Sequence, residues 1–116
     1  MKIERDSLPA IEFGGLEIRD YTAGRDLRSS MAEVTVPAGV GHPRAWSRRS
    51  DKLYCVLEGD VHFVVGEQVL ELVTSDVCVV PQGTRFSYEN RTDASARMLL
   101  VHTPPFDLCD EVMEEE

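Results

Sequence analysis

The chain has 116 residues, 42% apolar and 28% charged, with 21 acids against 12 bases and a net charge of −9. That size suits one globular domain, 1–116, whose core needs no disulfide or metal staple. The acidic balance argues against nucleic acid as a partner, and no apolar run reaches the roughly 18–20 residues of a membrane helix, so no membrane partner is expected.

Strand signals dominate in chain order. Residues 31–37 (Met31-Ala-Glu-Val-Thr-Val-Pro37) alternate apolar and polar and stop at a proline. Residues 53–57 are an unbroken apolar run halted by Glu58-Gly59-Asp60, and residues 61–65 resume at once and stop at Gly66-Glu67. Residues 68–73, 77–80, 85–89 and 96–102 follow, separated by Pro81-Gln82-Gly83 and by Asn90-Arg91-Thr92-Asp93 and closed by Pro104-Pro105. Short β-branched and aromatic runs with frequent turn residues predict an all-β sandwich or barrel. No helical periodicity exceeds two turns; a short helix in 107–115 is the one weak candidate. The N-terminus carries no apolar leader core, and the expected compartment is the cytoplasm.

Cys55, Cys78 and Cys109 are odd in number and far apart. Neither a disulfide framework nor a cysteine zinc site is expected; Cys55 and Cys78 read as small buried hydrophobes. The charge is unevenly placed: acids crowd 107–116, and Arg44, Arg48, Arg49 and Lys52 crowd one short stretch. The tail reads as a solvated terminus.

Two stretches resemble the two motifs of the cupin superfamily. The first runs from Pro37 to Gly59, where Ser50-Asp51-Lys52-Leu53-Tyr54-Cys55-Val56-Leu57-Glu58-Gly59 is very similar to the family's strand and turn. In the second, Asp76, Pro81, Gly83 and Asn90 fall in place. The resemblance implies a cupin-type β-barrel (a double-stranded β-helix, or jelly roll) with its core at about 31–105 and an acidic tail over 107–116. The matched residues are turn formers, so they speak for the fold and not for function.

The departures lie in the chemistry. Counting back from Gly59, the family's metal-binding Glu falls on Lys52, and its third His falls on Phe86. Its first two His fall on Ala45 and Ser47, or on Trp46 and Arg48. An ammonium and a phenyl ring are hostile to a cation, so no metal and no cofactor are expected there. A displaced site built from His42, His62 or His102 matches no known spacing.

Side-chain alternation predicts that Lys52, Tyr54 and Val56 share one face, with Phe86 and Tyr88 facing the same interior. Trp46 and Arg48, or Ala45 and Ser47, complete that wall. Trp46, Arg48, Lys52, Tyr54, Phe86 and Tyr88 are therefore the candidate ligand-binding residues, with Lys52 and the arginines suited to an anion. Lys52, Tyr54, His42 and His102 are the candidate acid–base residues, His42 lying at the barrel mouth by the resemblance. A structural reading of Lys52 requires an acid beside it or exposure at the barrel rim, since a lone buried ammonium is costly.

The function expected is metal-independent binding of a small, anionic organic molecule, with isomerisation, epimerisation, cyclisation or elimination by side-chain acids and bases. The alternatives are a non-catalytic binding or sensing protein and a metal-dependent cupin with relocated ligands. Strands apolar on both faces predict a homodimer, as the resemblance also implies.

Overall fold

The computed structural model describes residues 1–114. Its strands are β1 (Ile11–Phe13), β2 (Leu16–Asp20), β3 (Ser30–Val36), β4 (Gly41–Ser47), β5 (Asp51–Glu58) and β6 (Val61–Val65), followed by β7 (Gln68–Leu72), β8 (Val77–Val80), β9 (Phe86–Glu89), β10 (Ala96–Thr103) and β11 (Glu111–Met113). They form two sheets, a six-stranded one in the order β1-β2-β3-β10-β5-β8 and a five-stranded one in the order β11-β4-β9-β6-β7. Every pairing among the described residues is antiparallel. The architecture is the cupin jelly roll.

The inner faces follow the period of two. In β5, Lys52, Tyr54 and Val56 are buried while Asp51 and Leu53 are exposed; in β9, Phe86 and Tyr88 are buried. The core between the sheets is built on Tyr54, Phe63, Phe86, Met98 and a set of valines. Tyr54 and Tyr88 pack on Phe63 with ring centroids 5.1 and 4.9 Å away. Asn90, wholly buried, ties the turn after β9 to β3: its amide nitrogen donates to the Val36 and Ala94 carbonyls at 2.9 and 2.7 Å. This is a structural use for a motif residue.

Four strands have no counterpart in the sequence reading. β1 and β2 are short and joined at Gly14-Gly15. β4 contains Gly41 and Pro43, which argue against a regular strand. Its pairing with β9 indeed shifts register between His42 and Ala45, where Pro43 has no N–H to offer. The terminal segment is neither a helix nor, over its described part, a solvated tail. A single 3-10 turn (Leu108–Asp110), capped by the Asp107 side chain on the Cys109 N–H at 3.0 Å, leads into β11, which pairs with β4. Glu115 and Glu116, at the end of the acidic tail, lie outside the described residues.

Two backbone positions matter. Gly41 lets β4 lie close on β9, since a Cβ there would come within 2.8 Å of the Glu89 Cα; this closeness sets His42 opposite Tyr88. Ser75 adopts φ 77°, the left-handed region, in the turn before β8. Its N–H donates to the Val56 carbonyl at 2.7 Å, so the turn cannot relax without losing that bond. Ser75→Gly is expected to stabilise the protein by up to about 1 kcal/mol by removing the strain; urea denaturation checks this, and a loss of stability would contradict it.

Candidate functional site

A cavity of about 260 Å³ opens inside the barrel. Its walls are mainly apolar, among them Phe13, Leu16, Ile18, Val34, Leu100 and Phe106. The polar side chains that reach it are His42, Lys52, Tyr54, Tyr88, His102 and Glu111, with Glu12 and Asp20. Residues from β1 and from the segment after β10, including Leu108 and Met113, complete its enclosure.

The cavity brings together His42, Lys52, Tyr54, Tyr88 and His102. Phe86 is buried behind them, its ring stacked on His42 at 5.2 Å and 5.0 Å from the Lys52 Nζ. Trp46 and Arg48 are corrected. Ala45 and Ser47 are the buried pair of β4, at 2% and 3% exposure, so strand parity turns Trp46 outward. There the Trp46 ring takes the guanidinium groups of Arg85 and Arg48 at 4.5 and 5.5 Å. His62 is not at the cavity; it pairs with Glu71 of β7.

The residue the sequence reading missed is Glu111. It leaves the acidic tail, enters through β11 and pairs with Lys52, both side chains being at least nine-tenths buried. Two of the cluster's three arginines find partners in the same segment. Arg44 meets Glu114 at 3.4 Å and Arg49 meets Asp110 at 3.5 Å. That Lys52 needs either an acid or exposure at the rim was legible; that it is buried against an acid, and which acid, was not. The expectation of an anion anchor changes accordingly: Lys52 is already matched, and the cavity's other ionisable groups include Glu12 and Asp20.

Burial pushes the Glu111 carboxyl up, but the Lys52 ammonium in contact with it, with Ser47, outweighs burial and holds it at about 2. Burial lowers Lys52 in spite of Glu111. The two shifts differ in sign for the pair's stability; the carboxylate's is the one a directly contacting ammonium explains. Burial also lowers His42 and His102, which are therefore neutral imidazoles at pH 7, and raises Tyr54 and Tyr88, which stay protonated phenols.

The tautomer of His42 follows from one bond. Its Nδ1 lies 2.7 Å from the Pro43 carbonyl, which can only accept, so Nδ1 carries the proton and Nε2 keeps its lone pair. His102 is different. Its Nε2 is buried without a hydrogen-bond partner among the described residues and stands 3.8 Å from a Glu111 carboxylate oxygen, beyond hydrogen-bond reach.

Cupin barrels commonly hold a metal, but these residues do not fit one. The inward positions that the motif assigns to metal ligands carry an ammonium, a phenyl ring, a methyl and a hydroxyl. Among the described residues, no three His, Cys, Asp or Glu side chains gather closely enough to hold an ion. No helix among them is long and apolar enough to cross a membrane.

The cupin-domain sequence profile matches residues 32–102. No curated relative is detected by sequence comparison. Among solved structures, the barrel of Pac13, a nucleoside dehydratase, superposes with a TM-score of 0.85 at 23% identity over 99% of this chain and 91% of that one. A Streptomyces variant of it contains uridine. A sugar phosphate isomerase of Silicibacter pomeroyi superposes with a TM-score of 0.77 at 23% identity over 89% and 75% of the two chains. KdgF from a Halomonas species gives 0.81 at 13% identity over 90% and 94%. At such identities the likeness is one of fold.

The Lys52–Glu111 pair generates a stability test. Lys52→Met should leave a buried carboxylate unmatched and cost about 3 kcal/mol, whereas Lys52→Met combined with Glu111→Leu should recover most of it. Because the folded pKa of Glu111 lies near 2, below the ordinary 4.5, the unfolded chain takes up the proton first. The pair's contribution, about 3 kcal/mol, is therefore complete above pH 4.5 and fades as the pH falls toward about 2. Urea denaturation across that range should show a smaller acid loss in the double variant than in the wild type.

Proposed function

The chain belongs to the cupin-domain family, and from that premise we propose that its barrel binds a small, uncharged organic molecule and moves a proton on it without a metal. The observation that carries this is His42: a neutral imidazole in a mainly apolar cavity, with Nδ1 tied to Pro43 and Nε2 left free as a base. A pre-set tautomer needs no rearrangement before it accepts a proton.

The phenols of Tyr54 and Tyr88 share the cavity with His42, whose ring centroid is 5.5 Å from that of Tyr88. As proton carriers they donate to an oxygen that gains charge when His42 takes a proton from a neighbouring carbon. Two outcomes of such a step balance. The electron pair returns to the carbon skeleton with a proton delivered elsewhere, which is isomerisation. Alternatively it expels a β-hydroxyl, which takes the proton that His42 accepted and leaves as water while the phenols keep theirs, which is elimination. The elimination reading is the one in keeping with a fold shared with a nucleoside dehydratase. An uncharged ligand is favoured because the cavity's ammonium already has its carboxylate.

We also propose a homodimer. On the outer face of the six-stranded sheet, Met31, Val101, Leu53 and Val79 form a row across β3, β10, β5 and β8. Leu53, Val77 and Val79 are 42, 55 and 56% exposed. A second copy suits this row, since self-pairing covers the same apolar side chains on both partners. Leu53→Lys should shift sedimentation from dimer to monomer; a wild type that sediments as a monomer would end this idea.

The functional test is a panel of nucleosides and neutral sugars, uridine first, with binding followed by calorimetry and loss of water by mass spectrometry. His42→Gln is expected to lower turnover by at least about 100-fold while leaving affinity within about threefold. The kcat/KM should fall on the acid side through a pKa below 6.5, because burial holds His42 down and the free base is the active form. Binding with no turnover of any panel member would favour a carrier or sensor. Stoichiometric iron, manganese, nickel or zinc whose removal abolishes activity would overturn the metal-free reading.

A further inference from the structure

The cavity contains a second polar centre that the proton transfer at His42 does not use. The His102 Nε2 is buried, has no hydrogen-bond partner among the described residues, and belongs to a residue only 4% exposed. Buried polar atoms in folded proteins are nearly always satisfied, by protein, water or ligand. Opposite it, 3.8 Å away, is the Glu111 Oε1, which Lys52 holds in place. Both residues line the cavity.

The gap has a definite chemistry. A carboxylate accepts only, so whatever bridges it must donate to Glu111. The same group must accept from His102, whose Nε2 carries the proton when it faces a carboxylate. Two hydrogen bonds of about 2.8 Å would span 3.8 Å at an angle near a right angle. Among neutral organic groups a hydroxyl meets both demands at one atom; a carbonyl or ether oxygen accepts but cannot donate. Water meets them too, and a ligand hydroxyl that displaces it reproduces both bonds and loses little.

We propose that His102 and Glu111 form a hydroxyl-binding subsite, with Lys52 as the residue that positions Glu111. The ligand class that follows is an alcohol-bearing molecule such as a polyol, a sugar or the sugar of a nucleoside. Phe86, in contact with both the His42 ring and the Lys52 ammonium, sets the two centres side by side. The inference takes from the proposed function only that a small organic molecule enters the cavity.

The test uses size-matched probes and no turnover assay, so a failure of the His42 chemistry leaves it intact. Propan-2-ol and acetone differ by one donor. Each is titrated into protein labelled with 15N in histidine and 13C in valine and leucine methyls, following the His102 Nε2 resonance and the methyls of Val34 and Leu100. Propan-2-ol is expected to bind at least about tenfold more tightly than acetone and to shift the Nε2 resonance. His102→Gln, which keeps an N–H donor, should retain the preference, and His102→Phe should lose it. If the ratio in the wild type is under twofold, or neither probe moves Nε2, the proposal fails. If His102→Phe does not fold, the wild-type ratio and His102→Gln decide.

Discussion

The contact between Lys52 and Glu111 organises both the cavity and the end of the chain. An ammonium on the inner face of β5 is tolerable in a largely apolar interior only if a carboxylate reaches it. Among the described residues, no acid of β1 to β10 does so. The solution is to bring the terminal segment back across the barrel. Glu111 enters the interior while its strand completes the edge of the five-stranded sheet beside β4. The outer arginines then meet Asp110 and Glu114 of the same segment. These exposed pairs are individually worth little; the buried one makes the docking specific.

That arrangement also defines what the cavity can accept. A free ammonium would have made it a site for anions. With Glu111 in place, the interior offers directional groups in place of net positive charge. There is an imidazole with a fixed tautomer at His42, a pair of neutral phenols, and His102 facing Glu111 across 3.8 Å. Each depends on burial. The same desolvation keeps the imidazoles neutral and the phenols protonated. The family framework survives in its turns, such as Asn90 bonded to the Val36 carbonyl, while the interior positions carry different chemistry.

Most of the strands were legible because period-two patterning and turn residues are local properties. The runs 61–65 and 77–80 match β6 and β8 residue for residue. β4 was not, because Gly41 and Pro43 read as loop; the glycine serves a close approach and the proline sits at a break in register. The same blindness left open whether Ala45 and Ser47 or Trp46 and Arg48 face inward. A bulge resets parity, and nothing in the local pattern marks its place.

By itself the sequence determined the barrel, the loss of metal-binding side chains and the shared face of Lys52, Tyr54, Phe86 and Tyr88. It also implied that Lys52 needs either an acid or exposure at the rim. Only the tertiary structure decided which acid, since Glu111 is 59 residues away and lies in a stretch whose composition suggests solvent. It alone placed His102 3.8 Å from that acid and closed the His42 Nδ1 on a carbonyl. The physical reason is common to all three. Alternation along one strand records which way a side chain points, but the group it meets is set by register between strands far apart in sequence.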